Sequence, residues 1–362
     1  MVVISRKETT IIGKTISYLE AGPQDGTLVI FVHGWPAVAE IWKPQITTFA
    51  GLGFRVVAPD LPGFGKSFKS DDKTEFSLKA INTILLRFLE RHLGRSQAIW
   101  IGHDWGAGVV WSFLSHYPEN CLGVANMCIA YRTIECGVQE GLIKYADRAL
   151  YPEDQFPNAQ WDYMVYYQDE KNFDKAIADF ERDIPNFFRA VYRKGDPETL
   201  NKPTFTAFVT KNNGWFGEAG NPPELPLDTD VLDEEMHGKL VEAFKEGGFR
   251  SPTSYYLNME DNAQYTEDWQ INEGLVNIPV LFIGAEYDSV ATTAGKTKLS
   301  EPMRSFCRKY TQVNIAGGHW IAQEKPNEVN AAIVRWIATV LPPSLWPAPQ
   351  PISLVTTSLP LR

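Results

Sequence analysis

An α/β architecture is what the sequence predicts: a mostly parallel central sheet flanked by helices, with an inserted, mainly helical segment. Three observations carry it. Short continuous apolar runs alternate with helix-period segments over residues 1–130, the alternation stops between residues 131 and 265, and it resumes afterwards. Apolar runs without polar alternation mark strands buried on both faces, as a parallel sheet with helices on each side requires.

Lys14–Glu20 and Thr27–Val32 open the series of strands, followed by Phe54–Pro59, Ala98–Gly102 and Cys121–Ile129. Between them, Ile41–Ala50, Ser77–Leu93 and Ala107–Tyr117 place apolar residues three and four apart, the helical period. From Tyr131 to Tyr265 the chain turns polar-aromatic and holds ten of the fourteen tyrosines, too many for chance placement. Helical stretches there are Asp174–Asp183 and Val231–Phe244, with loops at Gly195–Pro197 and Asn221–Pro226. The sheet pattern returns with strand Ile278–Gly284, helix Glu301–Lys309, strand Gln312–Ile315 and helix Pro326–Leu341. The proline of that last helix stands at its start, where a missing N–H costs nothing. The expected division is 1–130 and 266–341 for the two parts of the core, 131–265 for the insertion, and 342–362 for a proline-rich tail.

With 34 Lys+Arg against 44 Asp+Glu, the formal charge is −10. Binding to nucleic acid or an anionic membrane as the main activity is thereby excluded, since both need clustered positive charge. Four cysteines, irregularly spaced, make neither a disulfide framework nor a zinc site. No histidine pair has ligand spacing and no G-x-G-x-x-G follows a strand, so no metal or cofactor is expected. Pro62-Gly63-Phe64-Gly65-Lys66-Ser67 resembles a phosphate loop only superficially, because Asp60 stands where that motif needs glycine. Met1–Thr10 has no apolar core of a signal peptide, no Asn-x-Ser/Thr acceptor occurs, and no run is long enough to span a bilayer. A cytoplasmic protein, monomer or homodimer, is expected.

The chemistry centres on Gly102-His103-Asp104-Trp105-Gly106, which follows a buried strand and opens a helix. Small residues two before and two after a central residue permit a sharp strand-to-helix turn, the nucleophile elbow usually written G-x-S-x-G, here with aspartate at its centre. A carboxylate is already ionised at neutral pH. It displaces at saturated carbon to leave an ester, which water can cleave at the carbonyl, whereas a serine would leave an ether. A base is needed only for that second step, and His319 in Gly317-Gly318-His319-Trp320 follows the last strand. Asp288 in Ala285-Glu286-Tyr287-Asp288 supplies an orienting acid, with Glu286 as its near competitor. The order nucleophile, acid, histidine is that of the α/β-hydrolases. Backbone N–H groups of Trp35, in His33-Gly34-Trp35-Pro36, and of Trp105 would converge as an oxyanion hole, each donor lowering the hydrolytic barrier by about 3–4 kcal/mol. His33, Gly34 and Pro36 would shape that loop.

On these motifs, over about Lys14–Leu341, the sequence resembles the α/β-hydrolase-fold soluble epoxide hydrolases. The resemblance implies that the insertion is a cap over the site. It also implies two epoxide-binding tyrosines, which fall on Tyr163 in Asp162-Tyr163-Met164-Val165-Tyr166-Tyr167-Gln168 and Tyr256 in Tyr256-Leu257-Asn258-Met259-Glu260. A neutral phenol, with a pKa of about 10, can bond the ring oxygen and release its proton as the C–O bond breaks. A small apolar epoxide and water are the implied reactants. Other readings stay open. Asp104 could cap a helix, His33 and His103 read as structural, and Tyr166, Tyr167 and Tyr255 compete with the two chosen phenols. A haloalkane or haloacid dehalogenase would share Asp104, His319 and the acid. However, haloalkane enzymes usually carry Asn where Trp35 stands, and fluoroacetate enzymes carry arginines just after the nucleophile. A non-catalytic receptor on the same fold would show a broken triad.

Overall fold

The computed structural model describes residues 2–291 and 298–347. Its eight strands are β1 Ser5–Ile11, β2 Lys14–Ala21, β3 Leu28–Val32, β4 Arg55–Pro59, β5 Ala98–His103, β6 Cys121–Met127, β7 Val276–Ala285 and β8 Cys307–Ile315. They form one sheet in the order β1-β2-β4-β3-β5-β6-β7-β8. The two pairings made by β2 are antiparallel and all the others parallel. Every residue of β3, β4 and β5 is buried, which is why these strands read as unbroken apolar runs.

Helices α1 Lys43–Gly51, α2 Leu78–Arg87 and α3 Trp105–His116 connect the central strands. Ser77 starts α2 by accepting a hydrogen bond from the Ala80 N–H. All twelve residues of α3 are buried, so it is a core element rather than an amphipathic surface helix.

The sheet departs from expectation at its edges. Strand β1 escapes the sequence pattern because it is a mostly exposed edge strand with the polar sequence Ser-Arg-Lys-Glu-Thr-Thr before Ile11. At the other edge, the expected helix Glu301–Lys309 stops at Phe306 and the strand expected from Gln312 begins at Cys307. Cys307, Lys309 and Tyr310 pair with Val276, Pro279 and Val280, so backbone pairing to β7 overrides a segment whose side chains are half-exposed.

Between β6 and β7 the described residues form helices and turns and no strand. The helix expected over Asp174–Asp183 begins earlier, at Glu170, because Asp169 accepts hydrogen bonds from the Lys171 and Asn172 amides. The one expected over Val231–Phe244 begins later, at Glu234, where Asp233 caps the Met236 amide. Ile184–Val191 and Met259–Trp269 are helices the periodicity did not reveal. Of the expected tail, residues 348–362 lie outside the described residues, as do residues 292–297 within the returning part of the core. Trp346 packs edge-on against Phe54, with ring centroids 5.4 Å apart. Among the described residues, no helix is long and apolar enough to cross a membrane.

Candidate active site

Asp104 stands alone between β5 and α3, at φ 53° and ψ −128°. This backbone region is costly for a residue with a side chain and survives only where the surroundings enforce it. Here the enforcement is close packing. A Cβ on Gly102 would lie 2.6 Å from both Asn126 Oδ1 and the Gly106 carbonyl oxygen, and one on Gly106 would lie 2.1 Å from the Val32 carbonyl oxygen. Gly106→Ala is therefore expected to push α3 off β3 and destabilise the fold by about 1–3 kcal/mol, read from urea unfolding. An unchanged midpoint would show that the turn tolerates bulk.

The Asp104 carboxylate makes no hydrogen bond to the helix it precedes, which removes the capping alternative. Its Oδ1 accepts from the Trp35 N–H at 2.7 Å, and its Oδ2 lies 3.4 Å from His319 Nε2. Gly34 makes the approach possible, since a Cβ there would meet Asp104 Oδ1 at 2.3 Å. The Trp35–Pro36 peptide is cis. Trp105 opens α3, so its amide is one of the helix's first N–H groups, which have no intrahelical partner.

His319 Nδ1 donates to Asp288 Oδ2 at 2.9 Å. Asp288 is 1% exposed, and its Oδ1 accepts from the Val290 and Ala291 amides at 2.9 Å each. Burial alone would raise the Asp288 carboxyl, but His319 and the two amides bring it below the usual range. Glu286 is exposed, so Asp288 is the carboxylate that meets the imidazole. Burial would lower His319, yet Asp288 and the bonds to Asp104 and Asp288 hold it well above its ordinary value.

His103 and His33 serve the framework. His103 Nε2 donates to the His319 carbonyl at 2.6 Å, and burial takes the ring down to about 4, so it stays a neutral donor. His33 accepts from the Leu61 amide at Nε2 and donates to the Gly34 carbonyl from Nδ1, and burial lowers it too. His103, Cys128 and His319 bring ligand-type atoms within 4.8 Å of one another. The Cys128 thiol donates to the His319 carbonyl, and burial pushes it up to about 12, a protonation state that disfavours metal binding.

Asp104 and His319 open onto a cavity of about 270 Å³, whose wall also includes Trp35, Tyr163 and Tyr256. Tyr166, Tyr167 and Tyr255 do not line it: Tyr255 donates to the Pro62 carbonyl at 2.8 Å and Tyr166 faces Asn213. The Tyr163 and Tyr256 rings meet edge-on at 5.6 Å, and Tyr256 stands edge-on to Trp105 at 5.0 Å. Burial, and after it the Asp104 charge, hold the Tyr163 phenol well above its usual range. Burial, followed by Tyr163 and Asp104, does the same for Tyr256.

The family described as alpha/beta hydrolase fold matches residues 27–326. The chain belongs to that family. Among curated relatives, this α/β hydrolase is 31% identical over 328 residues to "Bifunctional epoxide hydrolase 2" of Sus scrofa, covering 90% of its own length and 54% of the relative's. It thus spans about half the length of that curated relative and of the mouse and rat proteins of the same description. "Epoxide hydrolase A" of Mycobacterium tuberculosis is 27% identical over 328 residues, with 90% of this chain and 94% of the relative covered. Among solved structures, that of Epoxide Hydrolase A from Mycobacterium thermoresistibile superposes with a TM-score of 0.74 at 26% identity, covering 93% and 99% of the two chains.

Two cavity residues of this α/β hydrolase were invisible in its sequence. Trp215 packs edge-on against Trp35 and Tyr163, both at 5.5 Å, and Phe205, 51% exposed, leans on Trp215 at the rim. Phe205 opens the single 3-10 turn Phe205–Phe208 and Trp215 lies in the turns that follow it, segments too short for any periodicity to single them out.

Proposed function

We propose that this α/β hydrolase converts an apolar epoxide to a vicinal diol through a covalent ester on Asp104. One observation carries the reading: two buried phenols, Tyr163 and Tyr256, line the same cavity as an elbow carboxylate and a carboxylate-oriented histidine. An elbow aspartate alone fits several displacements at saturated carbon. Only a leaving oxygen that becomes an alkoxide needs an acid beside it.

In the proposed sequence the phenols hold the epoxide oxygen and leave a ring carbon in line with Asp104 Oδ2. Oδ1, bonded to the Trp35 N–H, becomes the carbonyl oxygen of the ester. As the new C–O bond forms and the ring C–O bond breaks, the alkoxide takes a phenolic proton. His319 Nε2 then removes a proton from water, and the resulting hydroxide adds to the ester carbon. The Trp35 and Trp105 amides stabilise the tetrahedral oxyanion. As it collapses, the imidazolium returns its proton to the departing diol oxygen, and the carboxylic-acid proton passes to the phenolate, so that the carboxylate, the phenol and the neutral imidazole are all restored. Asp288 keeps the Nδ1 proton in place and offsets the imidazolium charge. The helical segment between β6 and β7 would act as a cap, contributing both phenols and the aromatic wall. The similarity to proteins named epoxide hydrolases supports the same substrate class.

A single turnover in heavy-oxygen water tests this chemistry. The first diol should emerge unlabelled, because its new oxygen is Asp104 Oδ2, while the label enters Asp104 and is found by peptide mass spectrometry. A first diol already carrying the label, with Asp104 unlabelled, would mean direct attack by water and would overturn the covalent reading.

A further inference from the structure

We propose that Glu324 is a positioning residue for the hydrolytic half-reaction, holding the His319 loop against the segment between β6 and β7. The inference rests on the covalent-ester reading above. Glu324 ends the short helix Ile321–Glu324, five residues after His319, and is half-buried. One of its oxygens, Oε2, accepts two backbone bonds: from the Gly318 amide at 2.7 Å and from the Gly195 amide at 3.0 Å. Gly318 directly precedes His319, whereas Gly195 follows helix Ile184–Val191 and lines the same cavity beside Gly318. The two backbones nearly touch, since a Cβ on Gly195 would lie 2.4 Å from the Gly318 nitrogen.

Other ties run alongside. Trp320 donates from its indole to the Val191 carbonyl at 2.9 Å and stacks on Tyr192 with centroids 3.7 Å apart. Tyr192 in turn donates to the Pro36 carbonyl at 2.9 Å, beside Trp35. On the acid side, the Gly317 carbonyl accepts from the Tyr287 amide at 2.9 Å, one residue before Asp288. Gly317 and Gly318 have no side chains with which to anchor this loop. A carboxylate receiving both facing amides makes a charge-assisted anchor, stronger than either bond to a neutral acceptor.

The geometry also says which step depends on it. Asp104 is held by the elbow and by the Trp35 N–H, and its attack on the epoxide requires nothing from His319. Water activation, by contrast, requires His319 Nε2 at a fixed place. A displacement of about 1 Å there costs about 100-fold in rate. Loosening Glu324 should therefore separate the two half-reactions.

Rapid-quench single turnovers, followed by intact-protein mass spectrometry, read alkylation and ester hydrolysis separately. Glu324→Ala is expected to slow hydrolysis by about 10–100-fold while alkylation changes by less than about twofold. Glu324→Gln, whose amide oxygen can accept both N–H groups, should recover most of the loss. Glu324→Asp keeps the charge on a shorter arm, serves where the alanine variant does not fold, and should also slow hydrolysis. In a His319→Gln background, Glu324→Ala should cost nothing further, because the base it positions is already gone. The proposal is overturned by unchanged hydrolysis in the alanine and aspartate variants, by equal slowing of both steps, or by an undiminished loss in the His319→Gln background. Absence of any ester in His319→Gln itself would instead refute the covalent reading on which the proposal stands.

Discussion

His319→Gln is expected to form the ester at close to the normal rate and then stall, with hydrolysis slowed by about 10²–10⁴-fold, the usual worth of a general base. Trapping is expected because the first step uses a carboxylate that needs no activation, whereas the second needs a proton taken from water. Intact-protein mass spectrometry should find the enzyme heavier by one substrate molecule, and Asp104→Ala should show no such adduct. An adduct on Asp104→Ala at the same site would remove the proposed nucleophile. The pH dependence follows from the same contacts. In the resting site the imidazole lies between Asp288 and Asp104, which together outweigh burial and raise its proton affinity. Esterification neutralises Asp104, leaving only Asp288 to support the cation, so the imidazole gives up its proton more readily just when a neutral base is required. Lowering the pH through that imidazole's titration should slow hydrolysis and leave alkylation without the corresponding limb. The wild-type ester should then accumulate toward acid pH. A steady-state ester level independent of pH would contradict this role for His319.

The features legible in the sequence are those whose physical cause is local. Gly102 and Gly106 are spelled out because a strand-to-helix turn around Asp104 leaves no room for a Cβ at either place. The buried strands β3, β4 and β5 are legible because burial on both faces forces continuous apolar sequence. Edge strands carry no such signature, which is why β1 and the first half of β8 read as polar loop and helix. The choice between Asp288 and Glu286 rests on which side chain turns inward, and two residues of the same chemistry in one loop do not reveal that. Glu324 and Tyr192 acquire their partners from segments 129 and 156 residues away, so no spacing along the chain announces them.

The phenols are the point at which the epoxide reading separates from its rivals, and Tyr163→Phe combined with Tyr256→Phe is expected to nearly stop alkylation, by about 10²–10⁴-fold. Each single change should cost about tenfold or more, because the remaining phenol can still hold the oxygen and supply a proton. The two effects should therefore combine non-additively. Phenylalanine keeps the rings, so the edge-on packing of Tyr256 on Trp105 and of Tyr163 on Trp215 survives and the loss reads the hydroxyls alone. Burial and the Asp104 charge hold both phenols well above their usual range. They should accordingly remain proton donors throughout the neutral range, with no fall in alkylation before about pH 10, the ordinary phenol value. A proton held that firmly is not lost to the resting carboxylate, yet an alkoxide is basic enough to take it as the ring opens. Hydrolysis of an ester already formed involves neither hydroxyl as base and should be much less affected, which single-turnover traces would separate. A chloroalkane provides the sharpest contrast. Chloride leaves without a proton, so a dehalogenase would lose little when the phenols are removed. Release of halide by the wild type, undiminished in the double variant and unaccompanied by diol formation from matched epoxides, would turn the assignment toward that chemistry.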